Sequence, residues 1–305
     1  MLSLVLRAQA CTEQTQRLAD ALWLVDRRLL VDLESPMAPR WNGADAFRTA
    51  FFNALSMSFP AGEQFFIDAV RAGVKRLPPE EQARWRSELQ GFIGQEATHR
   101  RIHALFNAHL ARQGLVNTWE GRIVARQRRL DGADPRHAVA ITAATEHFTA
   151  IFAEHLLAHE AVLEGAPERL RILWLWHSAE ESEHRCTVFD LYGALGGNLA
   201  WRRRWMLLVT IFFAVDLARQ TLRNLWNDRA LFSLAAWRSA AGFLFGRQGL
   251  VRGTWSPWRA YFSPGFHPSQ LGGERGPRWL AQSAASFATV GGAAGAALEG
   301  HDAKG

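Results

Sequence analysis

Apolar side chains return every three or four positions through long blocks of this chain, and prolines and glycines cut the blocks apart. The first block predicts a helix from about Ala44 to Arg76, bent near Pro60-Ala61-Gly62 and stopped before Pro78-Pro79. The second spans about Glu80 to Gln113 and ends at Gly114, a residue that suits a helix C-terminus. A shorter polar helix, about Thr118 to Leu130, crosses to a third long one. That helix begins after Asp134-Pro135, where aspartate caps and proline fills the first turn, and extends to about Leu163. The fourth long helix runs from Pro167 to about Leu195 and is closed by Gly196-Gly197. A long connection between the second and third long helices is what a one-crossover ferritin-like topology needs.

Downstream the pattern changes. Trp205 to Ala218 is a nearly continuous apolar run behind Arg202-Arg203-Arg204. It is short for a bilayer span and carries Asp216, so a core helix packed on the bundle is expected, with an interfacial helix as the second reading. A helix near Leu231 to Phe245 and a loop from Tyr261 to Pro268 follow, and the Ala- and Gly-rich stretch from about Ser283 reads as frayed. The expected organisation is all-α: an N-terminal extension over 1–40, a ferritin-like four-helix bundle over 41–200, additional helices over 201–270 and a low-complexity tail over 271–305.

Two Glu-x-x-His tetrads, Glu96 to His99 and Glu181 to His184, fall inside these helical stretches. Residues three apart share a helix face one turn, ~5.4 Å, along the axis, so the carboxylate and imidazole can reach one metal ion together. One tetrad arises easily by chance. Two other helices, however, each add a lone candidate, Glu63 and Glu146. The order Glu, Glu-x-x-His, Glu, Glu-x-x-His is the ligand inventory of di-metal carboxylate bundles. The bland alternative is a set of solvated surface residues, and the neighbours argue against it. Glu63 lies among Phe59, Phe65, Phe66 and Ile67, Glu96 follows Phe92 and Ile93, and Glu181 follows the run Ile172 to Trp176. Carboxylates in such company are costly to bury unless paired, and two divalent cations would balance four of them.

Two more histidines extend the tetrads into stripes. His177 precedes Glu181 by four, and His103 follows His99 by four, in mirror order. With the second and fourth long helices antiparallel, both fall at one end of the metal pair, where open coordination positions and substrate are expected. His177 and His103 are therefore the candidate catalytic groups, His177 as a direct ligand and His103 as a side chain holding a carboxylate. His147 sits ~100° around the helix from Glu146 and is expected to be solvated or packed.

Composition narrows the class. Hydrophobic residues make up 48% of 305 and tryptophans number thirteen, which excludes disorder for most of the chain and allows a sizeable core. Net charge is +6, but the arginines are dispersed over helix faces, which argues for solubility or a membrane-facing surface and against nucleic acid. The two cysteines, Cys11 and Cys186, supply neither a disulfide framework nor zinc spacing. The apolar start Met1 to Leu6 is broken at Arg7 with no cleavage pattern after it, so the expected location is cytoplasmic, or peripheral at the inner membrane face.

The run Phe92 to His103, the approach Phe59 to Glu63, the segment Trp176 to His184 and the loop Tyr261 to Pro268 resemble the bacterial family labelled predicted metal-dependent hydrolases. The resemblance covers about residues 40 to 270. The stripe His177, Glu181, His184 is also similar to the seven-ligand pattern of di-iron arylamine N-oxygenases, where the extra histidine binds one iron; that likeness is confined to the site. Carboxylate-rich, imidazole-poor ligation suits two iron ions, with manganese second and zinc disfavoured. The expected function is a di-iron oxygenase or oxidase. In it Glu63, Glu96, His99, Glu146, Glu181 and His184, with His177 as a seventh ligand, activate O₂ to oxidise a small apolar molecule, served by an electron-donor protein. The alternative is a two-metal hydrolase whose ions clamp an ester or phosphoryl group. Metal storage or a membrane-associated structural role ranks third.

Overall fold

Asp45 starts the first helix. Its carboxylate accepts the Arg48 N–H at 2.9 Å, and the chain stays helical over Ala46–Val74 (α1). Pro60 lies inside α1 without ending it. A proline has no N–H for the carbonyl one turn back, here that of Ser56, and Asn107 Nδ2 donates to that oxygen at 2.9 Å instead. Helix α2 (Pro79–Arg112) returns alongside α1 and ends ahead of Gly114, whose φ of +83° only glycine adopts cheaply. The crossover carries α3 (Trp119–Gln127). Helix α4 (Pro135–Ala158) then begins where Asp134 accepts the Arg136 N–H at 2.9 Å.

The fourth ligand helix differs from expectation. The stretch Pro167 to Leu195 is two helices, α5 (Glu168–Glu183) and α6 (Thr187–Ala194), with His184 as the C-cap of α5. Arg185 Nη1 donates to the Ser182 carbonyl at 2.7 Å while Nη2 reaches the Gly272 carbonyl at 2.8 Å. The side chain thus takes an acceptor that a continuous helix would use for its own backbone.

A computed structural model of the chain describes residues 24–290. Among the described residues the fold is all-α apart from one antiparallel ribbon, in which β1 (Arg27–Leu29) pairs with β2 (Phe287–Thr289). Helix α1 packs on α2, α4 and α7 (Leu199–Asn227), and α4 packs on α5 and α7. Trp41, Phe52, Phe106 and Trp174 interlock edge to face between them as the aromatic centre of the core. The run Trp205 to Ala218 proves to be the middle of the 29-residue α7, which is long and apolar enough by length and composition to cross a membrane; the expectation of a short segment is corrected. Asp216 within it is buried against Arg122 Nε at 2.6 Å and against Arg126, both on α3.

Helices α8 (Leu234–Phe245) and α9 (Leu250–Ala260) follow, the second without an expectation from sequence. The segment assigned to a low-complexity tail carries α10 (Arg275–Gln282), packed on α5, and then β2. Met1 to Leu6, Cys11 and the tail beyond Val290 lie outside the described residues.

Candidate metal centre

Helices α1, α2, α4 and α5 carry Glu63, Glu96 with His99, Glu146, and His177 with Glu181 to one buried spot, and the cap of α5 adds His184. None of the seven is more than 4% exposed. Ligand atoms of Glu96, His99, Glu181 and His184 lie within 4.8 Å of one another, as do those of Glu63, His99 and His177. Sharing His99, the two groups are adjoining positions. Glu146 joins through His184, its Oε2 lying 2.7 Å from Nδ1.

The unpaired atoms are the telling feature. Both oxygens of Glu63 and of Glu96, one each of Glu146 and Glu181, and one ring nitrogen each of His99 and His184 have no hydrogen-bond partner among the described residues. Buried acceptors left this way each cost free energy, and here they face one another rather than solvent. Cations are what such a donor set fits.

Electrostatics lead to the same conclusion. Burial pushes the Glu63 carboxyl well above the usual range, and Glu96 likewise, with Glu146, Glu181 and Glu63 adding repulsion. Glu146 is raised to about 7 by burial against the opposing pull of His184. Glu181 is held well below the ordinary value: burial works against its charge, but His184, His177 and His99 outweigh it. For His99 burial again opposes the charge, and Glu180 and Glu181 carry it up to about 10. The cluster has more carboxyl groups than its own side chains can neutralise.

Two outer arrangements aim the imidazoles. His99 Nε2 bonds Glu180 Oε2 at 2.9 Å, Glu180 Oε1 accepts from Arg27 Nη1 at 2.9 Å, and Arg27 also grips Glu183 at 2.7 Å. His99 Nδ1 is then the atom turned to the cluster, 3.5 Å from Glu181. His177 Nδ1 lies 2.6 Å from His103 Nε2, and His103 Nδ1 lies 2.9 Å from Ser56 Oγ, which donates to Asn107 Oδ1 at 2.8 Å. With that hydroxyl proton committed to Asn107, Ser56 can only accept from His103 Nδ1–H. His103 Nε2 must therefore accept from His177 Nδ1–H. His177 Nε2 is left as a bare lone pair 2.9 Å from Glu181 Oε1. Two acceptors that close require a cation or a proton between them. His103 bonds His177 and Ser56, not a carboxylate as the spacing suggested.

Glu180, Arg27, Ser56 and Asn107 had no signal in the sequence. Glu180 sits one position off the tetrad, and Arg27 lies 153 residues from it. His147 is buried against Tyr261 and bonds the Pro257 carbonyl at 3.1 Å, so it packs rather than ligates. Phe92 and Trp176 meet His184 and His99 edge-on and seal the centre. On its open side a cavity of about 660 Å³, lined by Phe59, Phe148, Phe152 and Trp174, reaches His177 and Glu181. A second cavity of about 320 Å³ reaches Glu63 and Glu181.

Compared with protein families, residues 25–272 match the one described as predicted metal-dependent hydrolase. No curated protein and no solved structure matches the chain.

Proposed function

The chain belongs to the predicted metal-dependent hydrolase family, and from that premise we propose that it is a di-metal carboxylate enzyme, with iron as the metal, that oxidises an apolar small molecule with O₂. The observation that carries this reading is the convergence of unpartnered carboxylate oxygens and imidazole nitrogens, buried beside an apolar cavity. Glu63, Glu96, His99, Glu146, Glu181 and His184 would hold the pair, with His177 Nε2 as a seventh ligand. A bound iron pair would supply the activation of O₂. Overall, R–H, O₂, two protons and two electrons become R–OH and H₂O, and a one-electron donor protein provides the electrons.

The chain's own residues set the conditions for that chemistry. Arg27 and Glu180 fix the ring of His99, and the His103, Ser56 and Asn107 relay fixes His177. Phe59 stands 4.8 Å from His177 and keeps bulk water from that side. The cavity presents almost no polar group to a substrate, so a bound molecule is oriented by shape.

The family description favours a second reading, a two-metal hydrolase. An ester or phosphoryl substrate needs donors aimed at its developing charge; of the hydroxyls in the cavity wall, those of Thr149, Thr210 and Thr254 are spent on carbonyls of their own helices, which leaves Ser178 and Thr221. Metal analysis and optical spectra of protein purified under air separate the readings. About two irons per chain with near-ultraviolet diferric absorption supports oxidation. Colourless zinc protein with esterase turnover supports the hydrolase.

A further inference from the structure

Helix α7 is amphipathic the wrong way round for a soluble bundle. Its protein-facing side buries Arg202, Asp216, Gln220 and Asn224, each with a partner: Asp216 holds Arg122, Gln220 bonds the Thr118 backbone, and Asn224 donates to the Ala50 carbonyl at 3.1 Å. Its outer side presents Leu207, Ile211, Val215, Leu222 and Trp226 to solvent. The elements that follow extend this apolar surface. Phe232 is 85% exposed, Trp226 64% and Trp255 56%. Among the described residues, most exposed large apolar side chains lie on α7, α8, α9 and their connections, where isolated ones would need no explanation but a continuous field does.

Charge on the same segment is predominantly positive. Residues 199–260 contain ten arginines, two aspartates, and no lysine or glutamate. Both aspartates are already engaged, Asp216 with Arg122 and Arg126, and Asp228 with Arg40 at 2.7 Å. Arginines 203, 204, 219, 223, 229, 238, 247, 252 and 259 are all exposed. Tryptophan and phenylalanine among exposed arginines that have no carboxylate partner among the described residues match the boundary between acyl chains and anionic headgroups.

The cavity ends on this surface. Leu222, Trp237, Val251 and Trp255 are exposed and also line the 660 Å³ cavity whose inner end is His177 and Glu181. We propose that the face formed by α7, α8 and α9 docks on an anionic lipid bilayer, and that the cavity draws a membrane-dissolved hydrocarbon-chain substrate from it to the metal centre. The docking stands on this surface alone; the identity of the substrate rests on the oxidase reading above. A chain leaving the acyl region through this mouth stays in apolar surroundings, which spares each methylene the cost of exposure to water.

Co-sedimentation of the full chain with vesicles tests the docking without reference to activity or metal. Vesicles containing phosphatidylglycerol should carry the protein down, vesicles of phosphatidylcholine alone should do so weakly, and added salt should reduce the difference. Each arginine near an anionic surface is worth roughly fivefold in partition, so Arg219→Ala with Arg223→Ala should weaken binding about 25-fold. Phe232→Ser with Trp255→Ser, both exposed and outside the core, should weaken it on phosphatidylglycerol vesicles by at least roughly tenfold while leaving the melting temperature unchanged. No sedimentation with either vesicle, binding indifferent to both pairs of substitutions, or a stable dimer in sedimentation velocity that covers this face and excludes vesicles would each overturn the proposal. Vesicle binding by protein that carries no iron after purification from iron-supplemented cells would leave docking intact while removing the oxidase reading.

Discussion

Glu181 meets three imidazoles of the cluster: it lies 2.9 Å from His177 Nε2, 3.5 Å from His99 Nδ1 and 3.9 Å from His184 Nε2. Glu181→Ala should therefore lose at least one metal ion per chain by elemental analysis, and unchanged content would contradict its place at the centre. His177→Ala should keep the fold and most of the metal while changing the optical spectrum, since six ligands remain. If the ring acts only through its neighbours, metal affinity should instead fall ~10–100-fold with the spectrum unchanged. A pH effect belongs to His147. Burial pushes its pKa down from 6.5 to about 4, against the pull of the Pro257 carbonyl. The folded state keeps the ring neutral while the unfolded chain protonates it, so its contribution is present above pH 6.5 and is lost as pH falls towards 4. Between pH 7 and pH 5 that loss is about 2 kcal/mol. His147→Gln, which retains a donor for Pro257, should show a correspondingly smaller drop in urea midpoint over the same interval; an unchanged drop would rule out this origin.

At the scale of elements, the ligand helices were legible because their chemistry is local. Glu96 with His99 and Glu181 with His184 carry their spacing in the sequence, and proline, aspartate and glycine mark the helix ends. The break at His184 was not legible because Arg185 makes it by reaching Gly272, a tertiary contact. The length of α7 was hidden for a related reason: Arg202, Gln220 and Asn224 interrupt the apolar run, and only their distant partners make them acceptable in a buried stripe. Helix α10 was missed because it is short and Gly-flanked, yet it supports the site. A Cβ at Gly276 would stand 2.7 Å from the Ala179 carbonyl of α5, so close packing there admits only glycine. Gly276→Val should lower stability by about 1–3 kcal/mol in urea titration and weaken metal retention, because α5 carries His177, Glu180 and Glu181. A midpoint equal to that of the parent chain would show that α10 can shift freely.

For the whole molecule, one buried centre gathers charge that the protein does not itself neutralise, and apolar cavities lead from it to a basic, aromatic face. The inventory of the centre follows from four helices of the right phase, whereas its outer ring depends on the chain returning from Arg27 and Ser56 to positions far away in sequence. Whether the cluster holds two metal ions is the claim on which the proposed chemistry depends. A crystal structure of protein purified from iron-supplemented cells, with anomalous data at the iron edge, measures it directly. Two anomalous peaks should appear, one bounded by Glu63, His99 and His177 and the other by Glu96, Glu181 and His184, each roughly 2.0–2.3 Å from a histidine nitrogen. A single peak, or none inside the cluster with the carboxyl groups hydrogen-bonded to one another, would contradict the account.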